Sequence, residues 1–248
     1  MGVLTKFQII EYLDKNELII NPSKNKDGQF DVQPASYDLR AGTLIWKEFN
    51  PDTKQFHTET KEYDPSLPID QQDTLCLQPG QVVFVITYEE IKMPDDLCGT
   101  VYAKNCFSRD GILAFTTGHI DPGVQCPIVI RLINLRAIPF TLQLGQEVYT
   151  VVFHKLDYTD KNNLAKHPHI TREKTRTNTL ASADSALGNA LNDLSMTSTF
   201  VKKDEFNKLF RGAIGKYAWV IIIALALLVT LTANFIKIWE HFNPVKHA

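Results

Sequence analysis

VYAKNCFSRDGILAFTTGHIDPGVQCPIVIRLIN, residues 101–134, carries two short apolar runs separated by segments rich in Gly, Pro, Lys, Arg, Asp and Asn. Polar punctuation of this kind between apolar runs is the chemistry of loops that join β-strands. Lys104-Asn105-Cys106-Phe107-Ser108-Arg109-Asp110-Gly111 sets two cations around a turn of small residues, a pattern suited to a polyanion such as a triphosphate. Downstream, Gly118-His119-Ile120-Asp121-Pro122-Gly123 holds one carboxylate on a Pro/Gly turn that enters the run Ile128 to Ile133. An acid fixed on a rigid turn beside cations can activate water. Taken alone, the same local pattern also fits two ordinary hairpin loops.

Outward from this stretch the pattern repeats. Short apolar runs at Thr43 to Trp46, Thr74 to Leu77, Val82 to Tyr88, Gly99 to Ala103, Phe140 to Leu144 and Glu147 to Phe153 are divided by turn signals such as Pro79-Gly80 and Pro94-Asp95. Many short strands at this spacing predict a β-sandwich or barrel. The polar, Pro-containing segment from Asn50 to Gln72 reads as a solvent-facing hairpin or loop. At the N-terminus, Phe7, Ile10 and Leu13 after Thr5 predict a short capped helix, followed by a strand at Leu18 to Ile20.

The motifs in these runs resemble a known family. AKNCFSRDGI, GHIDPG followed by IVIRLIN, QPASYDLR at Gln33 to Arg40, and Asn134 through Phe153 are similar, in order and spacing, to motifs of the dCTP deaminase and trimeric dUTPase superfamily. The resemblance covers about residues 4 to 157. It implies a mainly β, dUTPase-like distorted barrel of the double-sheet kind, a homotrimer with sites between subunits, and a pyrimidine nucleoside triphosphate ligand that brings its own Mg2+. It also implies that Asp121 activates water, and that Lys104, Asn105, Cys106, Arg109, His119 and Arg131 occupy nucleotide-contacting positions.

The departures from the family pattern carry information as well. Arg131 stands where the deaminases carry the Glu that activates water, and an arginine, charged at all relevant pH, cannot be that base. Lys104-Asn105-Cys106 replaces the family's Arg-Ser-Ser or Arg-Ser-Gly, Val124 replaces an aromatic that lines the sugar, and no Gly-rich closing arm follows Phe153. The expectation is a nucleotide-binding sensor or signalling protein. The alternative is a dUTPase-type pyrophosphohydrolase acting through Asp121. The HxE and PCxxC pattern of zinc deaminases is absent.

The chain has 248 residues, 26 Lys and Arg against 28 Asp and Glu, and a formal net charge of -2. That balance gives no basic footprint for nucleic acid. Four scattered cysteines, Cys76, Cys98, Cys106 and Cys126, lack the spacing of a zinc site, and no metal-ligand set is read from the sequence.

Beyond residue 157 the composition changes. Residues 158–179 read as a polar, cationic linker, and residues 180–216 as a helical juxtamembrane segment in which Leu180, Leu187, Leu194 and Val201 recur every seven positions. Residues 217–236, YAWVIIIALALLVTLTANFI, are twenty mostly apolar positions without a charge, enough at about 1.5 Å each to cross a bilayer core of about 30 Å. Lys202, Lys203, Lys208, Arg211 and Lys216 precede this run and only Lys237 and Lys246 follow it. The bias predicts a single-pass membrane protein with the N-terminal domain cytoplasmic and a short tail, residues 237–248, on the far side.

Overall fold

The computed structural model describes residues 2–115, 118–157 and 169–185. The strands are β1 (Gly2–Val3), β2 (Leu18–Ile20), β3 (Tyr37–Asn50), β4 (Gln55–Glu62), β5 (Thr74–Leu77), β6 (Val82–Lys92), β7 (Leu97–Ala103), β8 (Ile112–Phe115), β9 (His119–Ile120), β10 (Gln125–Asn134), β11 (Phe140–Gln143) and β12 (Glu147–Lys155). Among the described residues the α-helices are α1 (Lys6–Asp14), α2 (Asn105–Arg109) and α3 (Arg172–Asp184), with a short 3-10 helix at Ile69–Gln71. Ten strands form one sheet along the path β8-β10-β6-β3-β12-β7-β9, with β1 added to β12, β2 to β6 and β4 to β3. The pair β5–β11 stands apart. Every pairing is antiparallel.

Side-chain alternation explains how the sheet is covered. Along β10, Ile128, Ile130, Leu132 and Asn134 are buried, and the first three join the main core with Val83, Val85, Leu44, Tyr149 and Phe153. Val129 and Ile133 turn to the opposite face, where Ile45, Val82, Phe84 and Ile86 form a second apolar cluster with Leu180 and Ala183 of α3. In β3 the consecutive residues Leu44, Ile45 and Trp46 are all buried, Leu44 and Trp46 in the main core and Ile45 in the second cluster, because both faces of the sheet are covered there. Helix α1 closes the main core with Ile9 and Leu13, and the Gln8 side chain accepts from the Thr5 backbone N–H at 2.9 Å to fix its first turn.

A buried ion pair ties β3 to β6. Arg40 donates through Nε to Glu89 Oε1 at 2.6 Å and through its backbone N–H to Oε2 at 2.7 Å, and the Glu89 side chain is fully buried. Burial raises the Glu89 carboxyl above its ordinary range against the pull of Arg40. The rings of Tyr63 and Tyr88 lie 5.7 and 5.1 Å from the same guanidinium. Tyr88 also receives Arg172 of α3, 5.7 Å from its ring centre, and Arg172 donates to the carbonyls of Thr87, at 2.8 Å, and Tyr88.

Three expectations are corrected. The sheet is one curled path with a two-stranded satellite, where a double-sheet arrangement was expected. Within the expected linker 158–179, residues from Arg172 onward form α3, which packs on β10, β3, β6 and β4. Both of its arginines are received by the sheet: Arg172 caps carbonyls, and Arg176 Nε meets Glu62 at 2.9 Å. The stretch after Lys104 is a short helix, α2, anchored by the buried Phe107 and ended where Gly111 adopts a positive φ of 70°. The segment from Asn50 to Gln72 supplies β4, which forms a hairpin with β3.

The remainder of the linker up to residue 168, the heptad positions beyond Ala183, the apolar run 217–236 and the tail 237–248 lie outside the described residues. Among the described residues no helix is long and apolar enough to cross a membrane.

Gly42 sits in the bulge where β3 crosses β6, and a Cβ there would lie 2.6 Å from the backbone N and Cα of Tyr88. Gly42→Ala is therefore expected to cost about 3 kcal/mol through overpacking against rigid backbone, read as a lower urea midpoint with the slope unchanged.

Candidate functional site

The residues singled out in the sequence fall into three groups. The first surrounds Lys104, which stands between the end of β7 and α2. Its Nζ donates to Asp38 Oδ2 at 2.6 Å and to Glu147 Oε2 at 2.8 Å. Asp38 also accepts from the Thr150 hydroxyl and is 6% exposed. These partners converge because β12 pairs with β3 on one side and β7 on the other, with Thr150 opposite both Asp38 and Tyr102. Burial works against the Lys104 charge, but the bonds to Asp38 and Glu147 outweigh it and raise its pKa. One cation between two carboxylates has a formal charge of −1 when all three are ionised, so Lys104 is already neutralised where a free phosphate anchor was expected.

Asn105, Cys106 and Arg109 follow on α2. Asn105 is exposed and Cys106 packs against the main core. Arg109 reaches outward, its side chain 79% exposed and 3.9 Å from Asp110, a surface pairing of small energetic weight. Of the cations around the turn, Arg109 is the one open to a ligand.

The second group is the turn after β9. His119 Nε2 lies 3.2 Å from Asp121 Oδ1, and both side chains are more than half exposed. β9 pairs with β7 through Gly99 and Thr100, and the Met93 backbone bonds both Gly123 and Val124. The carboxylate thus rests on a doubly tethered turn, while its oxygens face solvent.

Arg131 forms the third. It lies on β10 between Phe84 of β6 and Phe115 of β8, with its guanidinium 5.0 Å from the Phe84 ring centre. Flanked by Val129 and Ile133, it shares the face on which α3 docks. Six residues of strand, about 20 Å, separate Arg131 from the first residue of β10, just past the Asp121 turn. The sequence places these groups on one short stretch, and the fold sets them apart.

The groups that sequence reasoning missed are Asp38, Glu147 and Thr150. Asp38 was visible inside QPASYDLR, but its role depends on a contact with Lys104 across 66 positions. Among the described residues there is no group of three or more His, Cys, Asp or Glu that could hold a metal ion.

With this geometry in hand, the dCTP deaminase-like family profile matches residues 3–156. The chain belongs to the dCTP deaminase-like family. It is 32% identical over 162 residues to a dCTP deaminase, dUMP-forming, of Methanosphaera stadtmanae, a match covering 63% of this chain and 80% of that protein. A second dUMP-forming dCTP deaminase, from Dictyoglomus turgidum, is 31% identical over 159 residues, covering 62% and 80%. The crystal structure of 2'-deoxycytidine 5'-triphosphate deaminase from Agrobacterium tumefaciens aligns with TM-score 0.46 and 19% identity, over 61% of this chain and 46% of that one. The family profile ends before α3, which lies outside the matched residues.

Lys104 gives a direct test of structural against ligand-binding use. Lys104→Met should cost about 2 kcal/mol in the absence of any nucleotide, because it strands Asp38 without a cation; the value falls below that of a fully buried pair because Lys104 keeps part of its surface in water. Unchanged stability in chemical denaturation would instead assign Lys104 to ligand binding alone.

Proposed function

We propose that this dCTP deaminase-like chain binds a pyrimidine nucleoside triphosphate, accompanied by Mg2+, without deaminating it, and that it works as a membrane-tethered nucleotide sensor. The observation that carries the reading is Arg131, a half-buried guanidinium stacked on Phe84 where the resemblance expects a carboxylate. Forming dUMP from dCTP, as the names of the relatives describe, requires water at the base and water at the phosphate. A guanidinium cannot take a proton from water in the first step, yet it can donate to the ligand. Arg109, exposed on α2, supplies a phosphate contact.

The sensor is proposed to act as a homotrimer. Its support is the separation of Arg131 from the Asp121 turn within one chain, which lets a single ligand meet both when a second copy supplies one of them. The tether is proposed to be the apolar run 217–236, with the β domain on the cytoplasmic side as the Lys and Arg bias dictates.

A specific observation favours a second reading. Asp121 remains, solvent-facing and beside His119, and such a carboxylate can orient water toward a phosphate. That reading is a pyrophosphohydrolase, and it shares the ligand but not the outcome.

The full chain in detergent, mixed in turn with dCTP, dUTP, dTTP, CTP and UTP plus Mg2+, separates the two when melting and products are followed together. The expected result is stabilisation of about 2.7 kcal/mol at a hundredfold excess over Kd, with no product. Loss of that stabilisation in Arg131→Ala supports the sensor. Pyrophosphate release that disappears in Asp121→Asn establishes the hydrolase, and a deaminated base overturns both. Absence of any nucleotide-dependent shift removes the binding reading altogether.

A further inference from the structure

The registers of β8, β10, β6, β3 and β4 set Phe115, Arg131, Phe84, Ile45 and Thr60 in one cross-strand row, and residues directly opposite one another project from the same face. The row is covered unevenly. Phe84 and Ile45 are 3% and 0% exposed, sealed in the cluster that Leu180 and Ala183 of α3 complete, whereas Phe115 is 48% exposed. Arg131 stands at the boundary, half-buried, with its guanidinium over the Phe84 ring. Among the described residues that guanidinium has no carboxylate or carbonyl partner.

One face gives access to it. Its neighbours Ile130 and Leu132 turn into the main core, and β6 and β8 flank it in the plane of the sheet. A ligand must therefore arrive on the face where α3 lies. The side chains that α3 buries, Thr175, Thr179 and Ala183, are small and share one helix face, so the helix packs closely on β10 as well as on β3, β6 and β4. Its polar fastenings are modest. Arg176 pairs with Glu62 and Asp184 with Lys47, both carboxylates being more than half exposed, and Arg172 donates to two carbonyls. Exposed ion pairs of this kind add little stability.

We propose that α3 is an autoinhibitory strap: docked, it closes the face around Arg131, and a nucleotide that engages Arg131 displaces it. The proposal rests on the reading that Arg131 contacts the nucleotide. A half-buried guanidinium without an anion is the weak point of the docked state, since it has given up water and gained only an aromatic ring. A nucleotide supplies the missing acceptors, but its base, sugar and phosphates together need the part of the face that α3 covers. Helix and ligand then compete for one surface, and each weakens the other's binding by the same factor. Occupancy of the site is thereby converted into release of the chain that continues from Ser185.

The test uses the full chain in detergent with Mg2+ and dCTP or dUTP, following affinity by titration calorimetry and amide exchange across 172–184. Arg172→Ala at one end of α3 and Asp184→Ala at the other each remove a fastening, and retained protection of β6 and β10 identifies a variant whose sheet is intact. Either variant should bind nucleotide about tenfold more tightly than the unsubstituted chain, because a larger fraction is competent before the ligand arrives. In the unsubstituted chain, nucleotide should speed exchange across 172–184 several-fold, and Arg131→Ala should abolish that rise. Binding seen only in the variants also supports the strap. Equal affinities with unaltered protection of α3 overturn it and leave the binding reading standing. Added protection of α3 overturns it as well, since helix and ligand then cooperate, and so does a rise in exchange that persists in Arg131→Ala. No binding by any of these proteins removes the binding reading and the strap together.

Discussion

The carboxylate of Glu89 lies where water cannot reach it, and much of the outer half of the fold follows from how it is satisfied. A buried carboxylate needs a cation and donors in fixed positions, and Arg40 supplies both from the side chain and the backbone of the facing strand. That requirement holds β3 and β6 in one register across the bulge at Gly42. The same guanidinium lies near Tyr63 and Tyr88, and the carbonyl of Tyr88 and its neighbour become the seat for Arg172. A helix outside the family domain is thus fastened within reach of the ion pair that organises the family sheet.

The Lys104 cluster applies the same economy of charge to the candidate site. A lysine between Asp38 and Glu147 holds three strands together and has little positive potential left for phosphate. Arg109 and Arg131 retain theirs, one in solvent and one against an aromatic ring. The dCTP deaminase-like architecture is present in this chain, and its charged groups divide between structural use, as at Lys104, and solvent-facing use, as at Arg109.

Most strands were legible because their apolar runs are bounded by Gly and Pro, and because β10 alternates cleanly between two covered faces. The turn that carries Asp121 was legible from its Pro and Gly, whereas the helix that carries Arg109 was not, because five residues are too short for a helical period to show. Asp38 was not, since its partner is fixed by a strand pairing that no local pattern encodes. α3 was misread for a related reason: Arg172 and Arg176 look like solvated linker cations until the carbonyls of β6 and the carboxylate of β4 are seen to receive them. Polar composition marks a linker only when the polar groups have no partner in the fold. The gap between the Asp121 turn and Arg131 was also hidden, because proximity in sequence along an extended strand becomes distance in space.

The manner in which α3 is fastened has a mechanical meaning. Its contacts lie in a row, from the β6 carbonyls that receive Arg172 at one end to Lys47 of the β3–β4 hairpin, which bonds Asp184, at the other. Tension applied to the chain beyond Ser185 therefore loads the Asp184 contacts first, then the apolar pair Leu180 and Ala183, and Arg172 last. Bonds strained in succession yield one by one, as in a zip, and the force needed is set by the weakest link at each moment. Pulled from its outer end, the helix is a releasable clasp, while the strands beneath it, bonded side by side and loaded together, stay closed.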